Sequence, residues 1–315
     1  MNIAVFGAGW WGKNIINTCE EIPSIGTVYG YDPDPGQYAK FAANKKFSPV
    51  SDPQQIWDDS GITAVCIATP PSHHYDLSLK ALQSGKHVLV EKPPALLFSQ
   101  VEELGRLARE KNLVYMMDAI YLFLPPIDHL KKILADIPQD MIRYVQIYRC
   151  GDELRRDGAG LQRIRQTMFR NQTSVIDDLF FHDAGILLYL FGQLTLQDAE
   201  KLFLYDDQCC DTVRIRLKQS SIPIELLLSW SLSFRRRGIT VYTRDRIIEY
   251  DGLKNENQIR IHDLESNQSE YFSFPAVPPL KTLLEFYLDC TRGLKVNHLD
   301  EKFMLSIMRL WEKLR

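Results

Sequence analysis

Three groups of residues in this 315-residue sequence have types and spacings that could do chemistry. The first is Gly7-Ala8-Gly9-Trp10-Trp11-Gly12, with Asp32 following 20 residues after the last glycine. The first glycine allows a tight turn, the second lets a pyrophosphate approach the backbone, and the third lets a helix pack closely on a sheet. A helix starting there offers free amides and its positive dipole end to the phosphates. Asp32 can accept hydrogen bonds from both hydroxyls of an adenosine ribose. The second group is Lys92, set between Glu91 and Pro93-Pro94, where an ammonium could orient a hydroxyl or carbonyl oxygen and stabilise charge developing on it. The third is Asp178 and His182, four residues apart and therefore on one face of a helix. An imidazole near its ordinary pKa suits general acid–base work. Plainer roles exist for the last two groups. Most lysines lie in solvated loops, acids at a helix start interact well with its dipole, and His182 would also fit as a satisfied core histidine.

These groups need elements to hold them. Ile3-Ala4-Val5-Phe6 is too short for a helix and suits a strand buried on both faces. A helical stretch from Lys13 carries Ile15, Ile16 and Cys19 on its apolar side, and a strand over residues 27–31 ends at Asp32. Further strands are predicted at 64–68, 87–90 and 113–117, separated by helices over 74–83, with Ser72 as cap, and after a cap at Ser99. This alternation predicts a parallel sheet with right-handed crossovers. Ligands bind beyond the carboxyl ends of such strands, so Gly7, Asp32, Thr69 and Lys92 converge on one crevice. The pattern is that of a doubly wound α/β Rossmann domain over residues 1–118. Asp32 would repel a 2′-phosphate, and Pro33-Asp34-Pro35-Gly36 supplies no arginine to receive one, so NAD is expected rather than NADP.

The motifs at 7–12, Ala68-Thr69-Pro70-Pro71-Ser72-His73-His74 and 85–93 resemble those of the glucose–fructose oxidoreductase/inositol dehydrogenase (Gfo/Idh/MocA) family. Asp178-Leu179-Phe180-Phe181-His182-Asp183 resembles the active-site helix of that family's second domain. The resemblance implies an NAD(P)-dependent dehydrogenase or reductase acting on a sugar, nucleotide-linked sugar or polyol, assembled as a homodimer or homotetramer. It implies catalytic roles for Lys92, Asp178 and His182. It also implies a cofactor-binding set of Gly7, Gly9, Trp10, Trp11, Gly12, Asp32, Ala68, Thr69, Pro70, His74, Glu91 and Lys92. Members often carry a histidine and an asparagine between the domains, where this sequence has Ala119 and Leu124.

Residues 119–315 are expected to form an α+β domain that binds substrate and mediates assembly. Alternating strands are predicted over 141–149, 212–218 and 224–234, with shorter ones at 239–242, 247–250, 259–262 and 271–274, followed by helices at 280–292 and 299–314. Short turns between strands imply a large, mostly antiparallel sheet with one face on helices. The helix over 175–191 carries no charge from Ala184 onward, which makes Asp177, Asp178, His182 and Asp183 stand out. The preceding stretch holds Arg155, Arg156, Arg163, Arg165 and Arg170, of which at least one is expected to meet an anionic group. Arg235-Arg236-Arg237 reads as ordinary surface.

Composition narrows the class. A net charge of −3 gives no basic surface for nucleic acid. The six cysteines form no CxxC pair and no metal-ligand spacing, so reduced thiols, no metal and a cytoplasmic setting are expected. No apolar run is long enough to cross a bilayer, and no signal peptide is expected. Two other functions fit the same residues. One is an NAD-binding sensor that performs no chemistry, kept open by Ala119 and Leu124. The other is a reductase of a non-sugar carbonyl such as a linear tetrapyrrole.

Overall fold

A computed structural model of the chain describes residues 1–151, 174–204, 210–232, 234–254 and 256–315. The arginines at 155–170 and Cys209 lie outside them. The chain divides into two compact units. Residues 1–120 and 278–308 form the first, and residues 121–277 and 309–315 the second. Against the expected division at 118, the main difference is the return of a C-terminal segment to the first unit.

The first unit is built on a six-stranded parallel sheet in the order β3-β2-β1-β4-β5-β6. Its strands are β1 (Asn2–Phe6), β2 (Val28–Tyr31), β3 (Phe47–Pro49), β4 (Ile62–Ile67), β5 (His87–Val90) and β6 (Tyr115–Met117). Helices α1 (Trp10–Glu20), α3 (His74–Gln83) and α4 (Phe98–Glu110) lie between strands, with a short α2 (Gln54–Asp58) before β4. Three-residue β3 and five-residue α2 carry too little periodicity to be read from sequence. α1 starts three residues earlier than expected, so Trp10 and Trp11 sit in its first turn. Ser72 and Ser99 are not caps. α3 has His73 at that position with no side-chain bond, and α4 starts at Phe98, where Gln100 Oε1 accepts from the Leu97 amide at 3.1 Å. Helix α7 (Pro279–Thr291) also belongs here: its Tyr287 hydroxyl donates to the Val65 carbonyl of β4, and Asn297 beyond it donates to the Tyr115 carbonyl at 3.1 Å.

The second unit holds an eight-stranded sheet in the order β14-β13-β12-β11-β7-β10-β9-β8. The strands are β7 (Ile142–Cys150), β8 (Thr195–Leu202), β9 (Thr212–Gln219), β10 (Ile222–Ser229), β11 (Arg236–Thr243), β12 (Arg246–Asp251), β13 (Gln258–Asp263) and β14 (Gln268–Ser273). Every described pairing is antiparallel except β7 with β10. Helices α5 (Pro125–Ala135) and α6 (Val175–Phe191) belong to this unit. Residues 301–308 of α8 (Glu301–Leu314) are assigned to the first unit and the rest to the second. The strand predicted to run to Phe234 stops at Ser229, because its hydroxyl accepts from the amides of Ser231 and Leu232 at 3.1 Å each and turns the chain. Sequence reading missed β8 because its side chains are almost all exposed and do not alternate. Valines and isoleucines at alternate positions of β7, β9, β10 and β11 (Val145, Ile147, Val213, Ile215, Ile224, Ile239 and Val241) fill the core on one face of the sheet.

Candidate active site

In the first unit the glycine loop is shaped by packing. Gly7 has φ +88°, and a Cβ there would stand 2.5 Å from the Ala68 carbonyl oxygen. A Cβ on Gly12 would stand 1.8 Å from the Gly7 carbonyl oxygen. A Cβ on Gly9 would meet nothing within 4 Å among the described residues, which leaves the space over it open to them. Gly9 caps α1 without a side-chain bond, leaving the first-turn amides facing that space. Asp32, at the end of β2, accepts from the Ala8 amide at 2.7 Å through one oxygen and from the Asp34 amide at 2.9 Å through the other. Its own amide donates to the Tyr38 hydroxyl at 2.8 Å. Thr69, past the end of β4, has a buried hydroxyl with no hydrogen-bond partner among the described residues. An open cradle over bare amides, a strand-end carboxylate and an orphaned hydroxyl fit a dinucleotide: the cradle its pyrophosphate, Asp32 its ribose.

The loop after β5 holds Lys92, whose backbone amide donates to its neighbour Glu91 Oε2 at 2.9 Å. Glu91 hydrogen-bonds Asp118, at the end of β6. Asp118 is 3% exposed and accepts from Trp11 Nε1 at 3.0 Å and from the Ile120 amide at 3.0 Å. Burial and the adjacent Asp118 charge push the Glu91 carboxyl well above its ordinary value, against the pull of Lys92. Burial also raises Asp118, to about 6, while the bonds from Trp11, Glu91 and the Ile120 amide hold it down. Glu91 is therefore the neutral donor and Asp118 the charged acceptor at neutral pH. Asp118 was missed in the sequence reading. An acid ending an apolar strand on the ligand-binding edge was the signal.

His74 lies between two loops of this unit. It is buried, and its ring nitrogens lie 2.7 Å from the Pro93 carbonyl and 2.8 Å from the Thr69 carbonyl. One nitrogen donates to its carbonyl and the other lies against its own, so His74 sits between the Thr69 loop and the Lys92 loop. Burial lowers its pKa, and the carbonyls oppose that. Trp10 is 76% exposed and stacks on Trp11 with centroids 5.4 Å apart. Ala68 backs Gly7, and Pro70 is exposed.

In the second unit α6 carries Asp178 and His182. Ser174 caps it: its hydroxyl and amide both donate to Asp177 Oδ2 at 2.8 Å. Asp177 also accepts from Trp311 Nε1 at 3.0 Å, which makes it structural. Asp178 Oδ2 accepts from Trp230 Nε1 at 3.2 Å. His182 meets the ring of Tyr121 edge-on, centroids 4.9 Å apart. Behind it, Arg149 Nε and Nη2 donate to Asp183 at 2.6 and 2.9 Å, both side chains buried, and the guanidinium lies 4.3 Å over the Tyr121 ring. Burial works against the Arg149 charge, yet Asp183 and Tyr121 outweigh it and raise its pKa. Tyr121, Arg149 and Trp230 were not singled out from sequence. A charge at Arg149 on the Val145–Ile147 face of β7 was the available signal. Among the described residues no cluster could hold a metal ion, and no helix is long and apolar enough to cross a membrane.

Residues 1–119 match the sequence model of the Gfo/Idh/MocA oxidoreductase family with an NAD-binding Rossmann fold. Over those residues the chain is similar to this family. A 2,7-anhydro-N-acetylneuraminate hydratase of Mediterraneibacter gnavus is 25% identical over 52% of this chain and 43% of its own length. A dTDP-3,4-didehydro-2,6-dideoxy-alpha-D-glucose 3-reductase of Saccharopolyspora spinosa is 33% identical over 53% of the chain and 48% of its own. The chain thus spans about half the length of these curated relatives or less. Among solved structures, the UDP-N-acetylglucosamine 3-dehydrogenase of Acidithiobacillus ferrooxidans has the same fold: TM-score 0.83, 21% identity, covering 100% of this chain and 96% of that one.

Proposed function

We propose that this protein is an oxidoreductase that moves a hydride between a nicotinamide dinucleotide, NAD by preference, and a carbinol or carbonyl carbon of a sugar, nucleotide sugar or polyol. The observation that carries it is the glycine cradle, open over Gly9 and flanked by Asp32 and the orphaned Thr69 hydroxyl. The family match and the dehydrogenase and reductase among its relatives support the same reading. Assembly as a homodimer or homotetramer goes with it.

The bound dinucleotide supplies the hydride acceptor in oxidation and the donor in reduction. This chain's residues bind the substrate oxygen and move its proton. Lys92 orients the reacting oxygen and stabilises its developing charge, with its loop held by Glu91 and His74. His182 takes the hydroxyl proton in oxidation and returns it in reduction, braced by Tyr121. Asp178, held by Trp230, keeps a carboxylate one helical turn away for a further substrate hydroxyl. Asp32 disfavours a 2′-phosphate by like charge.

One set of measurements tests this. Wild type, Lys92→Ala and His182→Ala are titrated with NAD and NADP and assayed on a panel of sugars and nucleotide sugars. Each variant should lose about 10²-fold or more in turnover while keeping its NAD affinity. NADP binding as tight as NAD rejects the role of Asp32. Near-normal turnover in either variant removes that residue from the mechanism, and NAD binding without turnover of any substrate by the wild type favours the sensor reading.

A further inference from the structure

The strand register separates the three side chains of Arg235-Arg236-Arg237. β11 pairs with β7 so that Arg237 stands opposite Arg149 and Arg236 opposite Cys150. Alternation puts Arg237 on the face of Ile239 and Val241, which fill the core, and Arg236 on the outer face, where it lies 4.0 Å over Tyr148. Arg237 is half-buried at the end of that inner face. Its guanidinium is 5.6 Å from the centre of Tyr121, the ring that also meets His182 and Arg149. The two arginines differ in one respect. The fork of Arg149 is filled by Asp183, whereas no ion pair of Arg237 occurs among the described residues. Its neighbours Tyr121 and Tyr250 are aromatic rings, not acids.

A half-buried guanidinium with no acid beside it among the described residues is completed by water or by an anion that displaces it. A planar fork matches a carboxylate or phosphate by two parallel hydrogen bonds. We infer that Arg237 binds an anionic group, a phosphate or a carboxylate, on the substrate whose reacting carbon is served by His182. This names the substrate class of the oxidoreductase reading and rests on it: an anionic sugar derivative rather than a neutral polyol.

The test uses the NAD-loaded protein and four probes: D-glucose, D-glucuronate, D-glucose 6-phosphate and UDP-glucose. Binding is read by calorimetry and turnover by nicotinamide absorbance. At least one charged probe should bind more tightly than D-glucose, and Arg237→Gln should weaken that probe about ten- to a hundred-fold while sparing D-glucose. Arg237→Lys should retain part of the gain. Arg236→Gln, on the outer face, should change neither. The glucuronate and phosphate arms tell carboxylate from phosphate. The inference is overturned if no charged probe exceeds D-glucose, or if Arg237→Gln weakens charged and neutral probes alike. Should Arg237→Gln fail to melt cooperatively, Arg237→Lys decides: the inference fails if its charged-to-neutral ratio equals that of wild type. Charge-selective binding without turnover of any probe leaves the anion site standing and counts against the oxidoreductase reading instead.

Discussion

Gly9 and Gly12 belong to one loop, yet alanine at each should damage the protein in different ways. At Gly12 the new methyl carbon would lie 1.8 Å from the Gly7 carbonyl oxygen, where ordinary contact begins at 3.4 Å. The neighbour is backbone, so no side chain can swing away, and α1 must move off the loop by more than 1 Å. Overpacking of this kind costs about 1–3 kcal/mol, occasionally more. In a unit of this size 2–3 kcal/mol lowers Tm by roughly 4–12 °C. At Gly9 the methyl meets nothing within 4 Å. Its cost to folding is that of replacing one uncharged helix cap by another, within about 1 kcal/mol. The same methyl stands in the space where a pyrophosphate would meet the first-turn amides. Losing one charge-assisted hydrogen bond there costs about 1.5–3 kcal/mol, or roughly 10- to 150-fold in affinity. Thermal melts followed by circular dichroism and NADH titrations followed by tryptophan fluorescence read both quantities. Gly12→Ala should lose stability and binding together, and Gly9→Ala binding alone. The reasoning fails if Gly9→Ala melts as low as Gly12→Ala, or if it binds NADH like the wild type.

The buried carboxyls give a pH dependence whose sign is fixed. Glu91 and Asp118 both have folded pKa values above their unfolded ones, so the folded state holds extra protons, and the stability they favour is present at low pH and fades as pH rises. For Asp118 the decline runs from about pH 4 through about pH 6, at up to about 1.4 kcal/mol per pH unit for each extra proton. Glu91→Gln should flatten the slope above that window, and denaturant melts showing an unchanged slope would refute the assignment. In the second unit, Asp183→Ala leaves the Arg149 guanidinium buried and unpaired, which should cost about 3–5 kcal/mol; a melt within error of wild type would show that the pair contributes little.

The glycine loop and the strand ends around it were legible because their geometry is local. The glycine loop, Asp32, Thr69 and Lys92 are each fixed by a few neighbouring residues and by the rule that strand ends bind ligands. The start and end of α6 were legible for a similar reason: Ser174 caps it, and Gly192 ends it at φ +77°. What stayed hidden is long-range. Trp11 bonds Asp118, which lies 107 residues later, and Trp230 bonds Asp178 across 52. Neither pair leaves a periodic trace in the sequence. The position of His74 between the Thr69 and Pro93 carbonyls is likewise set by residues 5 and 19 positions away and leaves no trace in its own motif. Arg237 is set apart from Arg236 by one step of strand register, which a run of identical residues cannot reveal.

The return of residues 278–308 to the first unit has a consequence for how the chain becomes a protein. When residue 120 leaves the ribosome, all six strands of the parallel sheet exist, but Tyr287 and Asn297, which bond the Val65 and Tyr115 carbonyls, have not been made. The whole second sheet must be synthesised first, which takes on the order of ten seconds at about 5–20 residues per second. Throughout that interval the apolar surface that α7 will cover stays open. Chain termination before residue 278 would leave a Rossmann unit with every glycine, Asp32 and Lys92 present and one wall missing, so a short fragment carrying the whole nucleotide fingerprint should be a client for chaperones rather than a free-standing domain.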